Sequence, residues 1–378
     1  MKKTTYIIYL LLVFVIPSAC NSQNEKIFFS SGGEPQSTVE DKSGIYVKGL
    51  KNVDVLNSHG SIEGLERMVS FYDNVQNGVP SDLRVVHYTI EGDPIVTDLS
   101  HDGEFLEVKY DTTRDNFGSG AITINQCGNL TEEVNPTNTS YIAVDCNDEF
   151  YGMQEILHIN YSMSQQDLFE FELKYGLNKE NEIYTLTNTM IKENSDNGTQ
   201  INSDLNIALD VKQEVYKRLV FANYLGEKEL TSSCDTEGST NYFLKVHING
   251  GKLDFLWSDC DQSLDGVKFT KIANYIIEQS SNIQNVQPID TVQGYVLEKK
   301  DNELLIGEGL TMLDYEWIKD ELQHMEFDHY IFEFTILEDI DTKEFQPGDK
   351  ILATIEERLS DSKPGRAKVK EIKKIEIH

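Results

Sequence analysis

Two short charged segments hold the side chains best suited to grip a ligand. Glu91 and Asp93 flank Gly92, and Arg114 and Asp115 stand together in a later polar stretch. Acids on glycine-shaped turns can gather around a divalent cation or a basic side chain, and binding groups commonly sit on such loops. A structural reading stands beside this one: Gly92 and Pro94 shape a turn, and Arg114 makes an internal ion pair with one acid. No catalytic residue is assigned, and no cofactor or metal is expected. His324 and His329 flank Glu326, but they lie five apart, about 140° around a helix, whereas a zinc-protease helix presents its two histidines at i and i+4. Gly307-Glu308-Gly309 lacks the third glycine and the strand–helix context of a nucleotide loop. Gly118-Ser119-Gly120 is a glycine-permitted turn and lacks the spacing of a nucleophile elbow.

Cysteine supplies the other chemistry. Lys2 and Lys3 precede an apolar run from Tyr6 to Ile16, long enough for a signal segment and too short to span a bilayer. Ser18-Ala19-Cys20 follows, which resembles a bacterial lipobox with Pro17 where a branched aliphatic residue is usual. Met1–Ala19 is therefore expected to be a lipoprotein signal peptide, with a diacylglycerol on Cys20. Two buried acyl chains would hold the protein stably at the extracytoplasmic face of the cell membrane. The polar stretch over residues 20–43 reads as a flexible tether. The four remaining cysteines, Cys127, Cys146, Cys234 and Cys260, are even in number, which suits two disulfides in an exported chain. Local pairing, Cys127 with Cys146 and Cys234 with Cys260, is the preferred connectivity, and four buried thiols are the alternative. Zinc is disfavoured because no C-x-x-C spacing occurs.

The charge balance narrows the partners. Lys and Arg total 33 against 64 Asp and Glu, for a net charge of −31. Loss of the signal segment would deepen it to about −33, since two lysines and no acids leave with it. Such a surface repels nucleic acid and anionic lipid headgroups. It suits a basic protein, a cationic peptide or a divalent cation, and it also simply keeps a protein soluble.

The elements that must position these groups can be read from periodicity. Ile62, Leu65, Val69 and Tyr72 fall at helical spacing, with Met68 and Val75 beside the stripe, Ser61 as cap, and Gly78 and Pro80 as the stop. Leu83–Ile90, Pro94–Leu99 and Glu104–Tyr110 read as strands, the last two joined over Asp102-Gly103. Ala121–Gln126 and Tyr141–Asp145 continue a helix-on-antiparallel-sheet pattern, and Glu155–Met163 and Ile183–Ile191 add strands. Lys192–Ser203 reads as a loop and a candidate break between two similar halves of an α+β domain over residues 44–287. Leu205–Tyr224 and Val267–Ile277 read as helices around a hairpin at Asn249-Gly250. A polar linker, Glu278–Asp290, leads to a unit over residues 288–378. Its five short strands and one helical insertion, Asp314–Leu322, suit a small OB-like β-barrel.

Particular runs carry a family likeness. Gly294-Tyr295-Val296, Gln346-Pro347-Gly348-Asp349-Lys350 and Ser362-Lys363-Pro364-Gly365-Arg366-Ala367 resemble the uncharacterised C-terminal domain of YobA-like lipoproteins of Gram-positive bacteria. Asn57–Gly60, Tyr88–Ile95, Arg114–Gly118 and Trp257-Ser258-Asp259-Cys260 resemble a second uncharacterised family of such lipoproteins, over Asp54 to about Ile277. The resemblance implies an envelope location and an OB-like C-terminal fold, and it supplies no activity. The expected function is a non-catalytic binding or interaction module. The alternative is an extracytoplasmic hydrolase without a recognisable motif.

Overall fold

The computed structural model describes residues 44–378 except 119, 148–151, 187–188, 195–197, 203–204, 234–237, 283–289, 325, 361 and 378. The expected signal segment, Cys20, the tether and Cys234 lie outside the described residues. The chain is mostly β with few helices, more sheet-rich than the α+β expectation.

A short hairpin opens the fold, β1 (Val55–Ser58) with β2 (Ser61–Glu63). The helix α1 (Leu65–Gln76) follows. The expected start at Ser61 is corrected: Ile62 is a strand residue, and the helix begins behind Gly64, whose φ of 75° is left-handed and which offers no side-chain cap. That later start rotates the buried stripe to Leu65, Met68, Phe71 and Val75. Val69, expected inside, is 39% exposed. Only glycine fits at position 64, because a Cβ there would lie 1.9 Å from Asp54 O.

The chain returns from α1 as β3 (Ser81–Tyr88), which pairs with β1 in parallel. A parallel pair needs such a crossover, so this sheet departs from the purely antiparallel expectation. β4 (Pro94–His101), β5 (Leu106–Asp111) and β6 (Ile122–Cys127) add antiparallel neighbours, giving a six-stranded sheet in the order β2-β1-β3-β4-β5-β6. Alternation decides its faces. Leu83, Val85, Leu99, Leu106 and Val108 turn into the core with α1, while Arg84, Asp98 and Lys109 turn out. The outer face is apolar at one end, where Ile45, Val47 and Val53 bury Val86 and Val96.

β7 (Asn129–Val134), β8 (Asn138–Val144) and β9 (Met153–Asn160) form a three-stranded antiparallel sheet. The Cys127–Cys146 disulfide ties the end of β6 to the residues just past β8, as local pairing requires. Cys260 is likewise disulfide-bonded, and Cys234, its expected partner, lies outside the described residues.

A second six-stranded sheet is built from β10 (Phe169–Gly176), β11 (Asn181–Leu186), β12 (Thr189–Asn194), β13 (Gly198–Asn202), β14 (Asn241–Ile248) and β15 (Gly251–Ser258). Its order is β13-β12-β11-β10-β14-β15. The single strand expected over Ile183–Ile191 is two strands, and the expected loop Lys192–Ser203 is largely the β12–β13 hairpin. Lys192-Glu193-Asn194 has the composition of a loop, yet it pairs on both sides, with β11 and with the edge strand β13. α2 (Leu205–Phe221) and α3 (Leu264–Asn282) accompany this sheet. α3 runs past Glu278, where the linker was expected to begin. One contiguous buried cluster joins Val55 to Ile276 and draws on both six-stranded sheets and α1 to α3, so residues 192–203 do not separate two cores.

The last unit is a closed five-stranded barrel of β16 (Thr291–Lys300), β17 (Glu303–Glu308), β18 (Glu333–Glu338), β20 (Gly365–Lys374) and β19 (Lys350–Ser360), in that order around it. α4 (Met312–Glu321) is inserted after β17 and starts with a capping box between Thr311 and Asp314. Gly294 is required by close strand approach, since a Cβ there would meet Gly307 O at 2.2 Å. Polar groups join the barrel to the three-stranded sheet: Gln293 Nε2 donates to Val134 O at 2.7 Å and Asn138 Nδ2 to Gly309 O at 3.1 Å.

Candidate functional site

The acids expected to form a site sit on two neighbouring loops, and only one of them links the loops. Gly92 N donates to Thr89 O, and Asp93 N to Thr89 Oγ1, fixing the β3–β4 turn. The Asp93 carboxylate accepts from Asn116 N at 2.9 Å and from Asn116 Nδ2 at 2.9 and 3.1 Å, which clamps the β5–β6 loop to that turn. Asp115 caps its own loop by accepting from Phe117 N at 2.9 Å. Arg114 pairs with Asp111 at 3.0 Å and meets neither Glu91 nor Asp93. Hydrogen bonds from Thr113, with help from Arg114, hold Asp111 below the usual carboxylate range. Glu91 is exposed at the turn. The four residues thus make two self-satisfied turns. Among the described residues no group of three or more His, Cys, Asp or Glu is placed to hold a metal ion.

A charged cleft of about 390 Å3 lies on the outer face of β3, β4 and β5, beyond the Val86–Val96 pair from the β3–β4 turn. It is lined by the acids Asp54, Asp82, Asp98 and Glu107 and the bases Arg84 and Lys109. Strand register makes this cluster: Asp82, Ser100 and Glu107 form one cross-strand row, and Arg84, Asp98 and Lys109 the next. Arg84 grips Asp98 with Nε to Oδ1 at 2.6 Å and Nη2 to Oδ2 at 3.1 Å, while Lys109 Nζ stands 3.7 Å from Oδ2. The Asp98 bond raises the Arg84 pKa further. Both bases are therefore spent on one acid. Asp54 accepts from Arg84 N at 2.9 Å and stands 3.9 Å from Arg67 Nη1, and Asp82 accepts from Ser100 Oγ at 2.6 Å, so Asp82 and Glu107 are the acids of the cleft outside its ion pairs. The cleft has acid in excess. None of its residues forms a motif, yet the signal lay in the sequence as charges alternating with apolar residues along Asp82–Val85, Thr97–Ser100 and Leu106–Lys109.

A serine, a histidine and a glutamate also meet, on β8 and β9. Ser140 Oγ lies 2.8 Å from His158 Nδ1 and 3.0 Å from Glu155 Oε1, and that oxygen is 3.3 Å from the same Nδ1. A catalytic relay uses opposite ring nitrogens for the nucleophile and the acid. Here both partners converge on one nitrogen, and Ser140 is fully buried. Burial draws His158 down, but the bond and charge of Glu155 outweigh it and hold the imidazole above its ordinary value. The trio is a polar tie between strands, buried at Ser140 and open to solvent at Glu155.

Residues 52–142, which contain the whole cleft, match a family described as a domain of unknown function (DUF4362), and residues 293–376, the barrel, match a protein of unknown function (DUF3221). The first match stops well short of Ile277, the extent expected from sequence. The chain is mostly β, and each of these two segments, under half of its length, is similar to an uncharacterised family. Over 24% of its length the chain is similar to a yobA protein from Bacillus subtilis subsp. subtilis str. 168, known from a crystal structure, at 18% identity, 99% coverage of that chain and a TM-score of 0.19. Comparison with curated proteins finds no match.

Proposed function

We propose that this chain is a lipid-anchored envelope protein on the extracytoplasmic face of the cell membrane, whose first domain binds a basic protein or peptide without catalysing a reaction. The reading of location rests on Lys2-Lys3, the Tyr6–Ile16 run and Ser18-Ala19-Cys20. We read residues 288–378 as a second module, an OB-type barrel, from the five closed strands and the inserted helix α4. The observation that carries the binding role is the cleft over β3–β5, where Arg84 and Lys109 both serve Asp98, Arg67 serves Asp54, and Asp82 and Glu107 remain as the acids in excess. A cationic side chain entering there gains attraction at a partly desolvated surface, within a chain of net charge −31.

Titration of the full chain in detergent with oligolysine and with oligoglutamate tests this. Oligolysine should bind, weaken as salt rises, and lose at least about tenfold in affinity with Asp82→Lys and Glu107→Lys together. Equal binding of the two oligomers, or no effect of the charge reversals, overturns the reading.

A further inference from the structure

β6 is the last strand of its sheet, and the fold leaves one side of it open. Ala121 O accepts from Thr112 N at 2.9 Å, so Ala121 turns its peptide groups toward β5. Alternation along an antiparallel strand turns those of Thr123 and Asn125 the same way, and those of Ile122 and Ile124 to the open side. Gln126 also turns outward, but its groups are taken. It donates to Asn147 Oδ1 at 2.9 Å and accepts from Asn147 N at 3.0 Å. At the other end Gly120, with a left-handed φ of 64°, bends the chain out of the strand line. The open edge is therefore a short window from Ala121 to Asn125, with Thr123 at its centre. No strand pairs with it among the described residues.

Edges in soluble proteins are ordinarily guarded by charge, proline or a bulge. This window has none of them. Ile122 is 52% and Ile124 57% exposed on the outer face, and Thr123 is exposed on the other. The charges in line with the isoleucines on β5 are Asp111, opposite Ile122, and Lys109, opposite Ile124. Asp111 is paired with Arg114 at 3.0 Å, and Lys109 stands 3.7 Å from Asp98. The window is thus a nearly neutral place on a chain of net charge −31.

We infer that this edge pairs with the same edge of a second copy of the chain, antiparallel about a two-fold axis at Thr123. The window dictates that register. With Thr123 at the centre, Ile122 of each copy faces Ile124 of the other. Both present outward peptide groups, so each such pair exchanges two N–H···O=C bonds. Centring on Ile124 would instead bring Ile122 against Gln126, where Asn147 already sits. Centring on Ile122 would set Ile124 against the bend at Gly120. The Thr123 centre also buries isoleucine against isoleucine on one face and makes a stabilising Thr–Thr pair on the other. Each row across the seam ends in Asp111 of one copy and Lys109 of the other, so like charges do not face each other. More distant acids are screened over about 8 Å at physiological salt. A strand of an unrelated protein would have to match this length and pattern, whereas a second copy brings both. The contact is smaller than the roughly 1,200–2,000 Å2 of a standard stable interface, so pairing is weak in dilute solution. Two copies anchored in one bilayer gain effective concentration, a point that rests on the anchor proposed above. The two sheets then run on as one, with both acidic clefts on the same face.

Cysteine crosslinking of the full chain, concentrated in detergent solution, tests the register, and its outcome there does not depend on the anchor. Thr123→Cys sets two thiols across the axis at the roughly 4.5 Å Cα separation of a non-hydrogen-bonded pair, within disulfide range. Under mild oxidation it should dimerise at least about tenfold faster than Ser70→Cys, which places an exposed thiol on α1. Ala121→Cys and Asn125→Cys should each stay monomeric alone and crosslink to each other when mixed, because those positions face one another across the axis. Ile124→Pro, added to Thr123→Cys, removes an outward N–H that β5 does not use and should abolish the crosslink. The pair Ile122→Glu and Ile124→Glu should do the same with the backbone intact, by setting like charges opposite each other. Circular dichroism checks that both sets fold. Crosslinking of Thr123→Cys no faster than Ser70→Cys, or indifferent to both sets of changes, overturns the inference. Self-crosslinking of Asn125→Cys in place of Thr123→Cys overturns the axis.

Discussion

Lys350 Nζ donates to Glu133 Oε1 at 2.7 Å where the barrel meets β7, with side chains 2% and 0% exposed. Tyr295 OH donates to the same oxygen at 2.6 Å, and Met312 N to Oε2 at 2.7 Å. One carboxylate is therefore satisfied by β19, β16 and the start of α4. Burial lowers the Lys350 pKa against the pull of Glu133, and burial together with Glu133 raises that of Tyr295. Removing one member of such a set strands a buried charge. Glu133→Ala should destabilise the protein by about 3–5 kcal/mol in denaturant titrations, while Glu133→Leu combined with Lys350→Met recovers most of it. A loss below about 1 kcal/mol for the single change would show that water already reaches the pair.

His87 gives a pH dependence. Its Nε2 lies 2.9 Å from Ile156 O, and burial lowers its pKa below the ordinary 6.5 despite that bond and Glu155. As pH falls below 6.5, the unfolded chain takes up a proton that the folded chain refuses, so stability from this group declines until the lowered pKa is passed. His158 shifts the other way and gains as pH falls, so the comparison must isolate His87. Between about pH 7.5 and 5.5, the wild type should lose more stability than His87→Gln in urea titrations. Parallel pH profiles would refute a neutral, buried His87.

The crosslink between Cys127 and Cys146 spans 19 residues of sequence. A loop of that size contributes roughly 3 kcal/mol through the unfolded chain. Cys127→Ser with Cys146→Ser should lower stability by about that amount. Peptide mapping without reductant should yield the Cys127–Cys146 pair, and a Cys146–Cys234 peptide would contradict it.

Gly64→Ala tests the helix start. The left-handed φ and the 1.9 Å approach to Asp54 O both oppose a Cβ. Backbone strain of about 1–2 kcal/mol adds to an overpacking cost of about 1–3 kcal/mol. A thermal midpoint equal to the wild type would place the start of α1 elsewhere.

Cys20→Ala tests the anchor. The variant should leave the membrane fraction for the medium or persist unprocessed. A mature variant that still partitions into detergent would rule out a lipid on Cys20.

Local chemistry was written in the sequence. Asp102-Gly103, Asn249-Gly250 and Asp301-Asn302 mark hairpins at β4–β5, β14–β15 and β16–β17, because turn residues need only their own backbone angles to act. The helices expected over Leu205–Tyr224 and Val267–Ile277 and the five barrel strands were legible as local patterns too, as was the pairing of Cys127 with Cys146 across a short span. No expectation covered β10, although Phe169, Phe171 and Leu173 alternate with Glu170, Glu172 and Lys174. β7 was hidden differently: Thr131-Glu132-Glu133 looks solvated, and only a lysine 217 residues away makes Glu133 an interior residue. Arg114 took Asp111, three residues back on its own loop, rather than Glu91 or Asp93, and tertiary structure alone gathered Asp54, Asp82, Asp98 and Glu107 around one cleft. Charges attract over distances set by folding rather than by sequence, and their burial depends on which surfaces meet. Period and turn chemistry therefore reveal elements, while the sites those elements build are decided when the sheets pack.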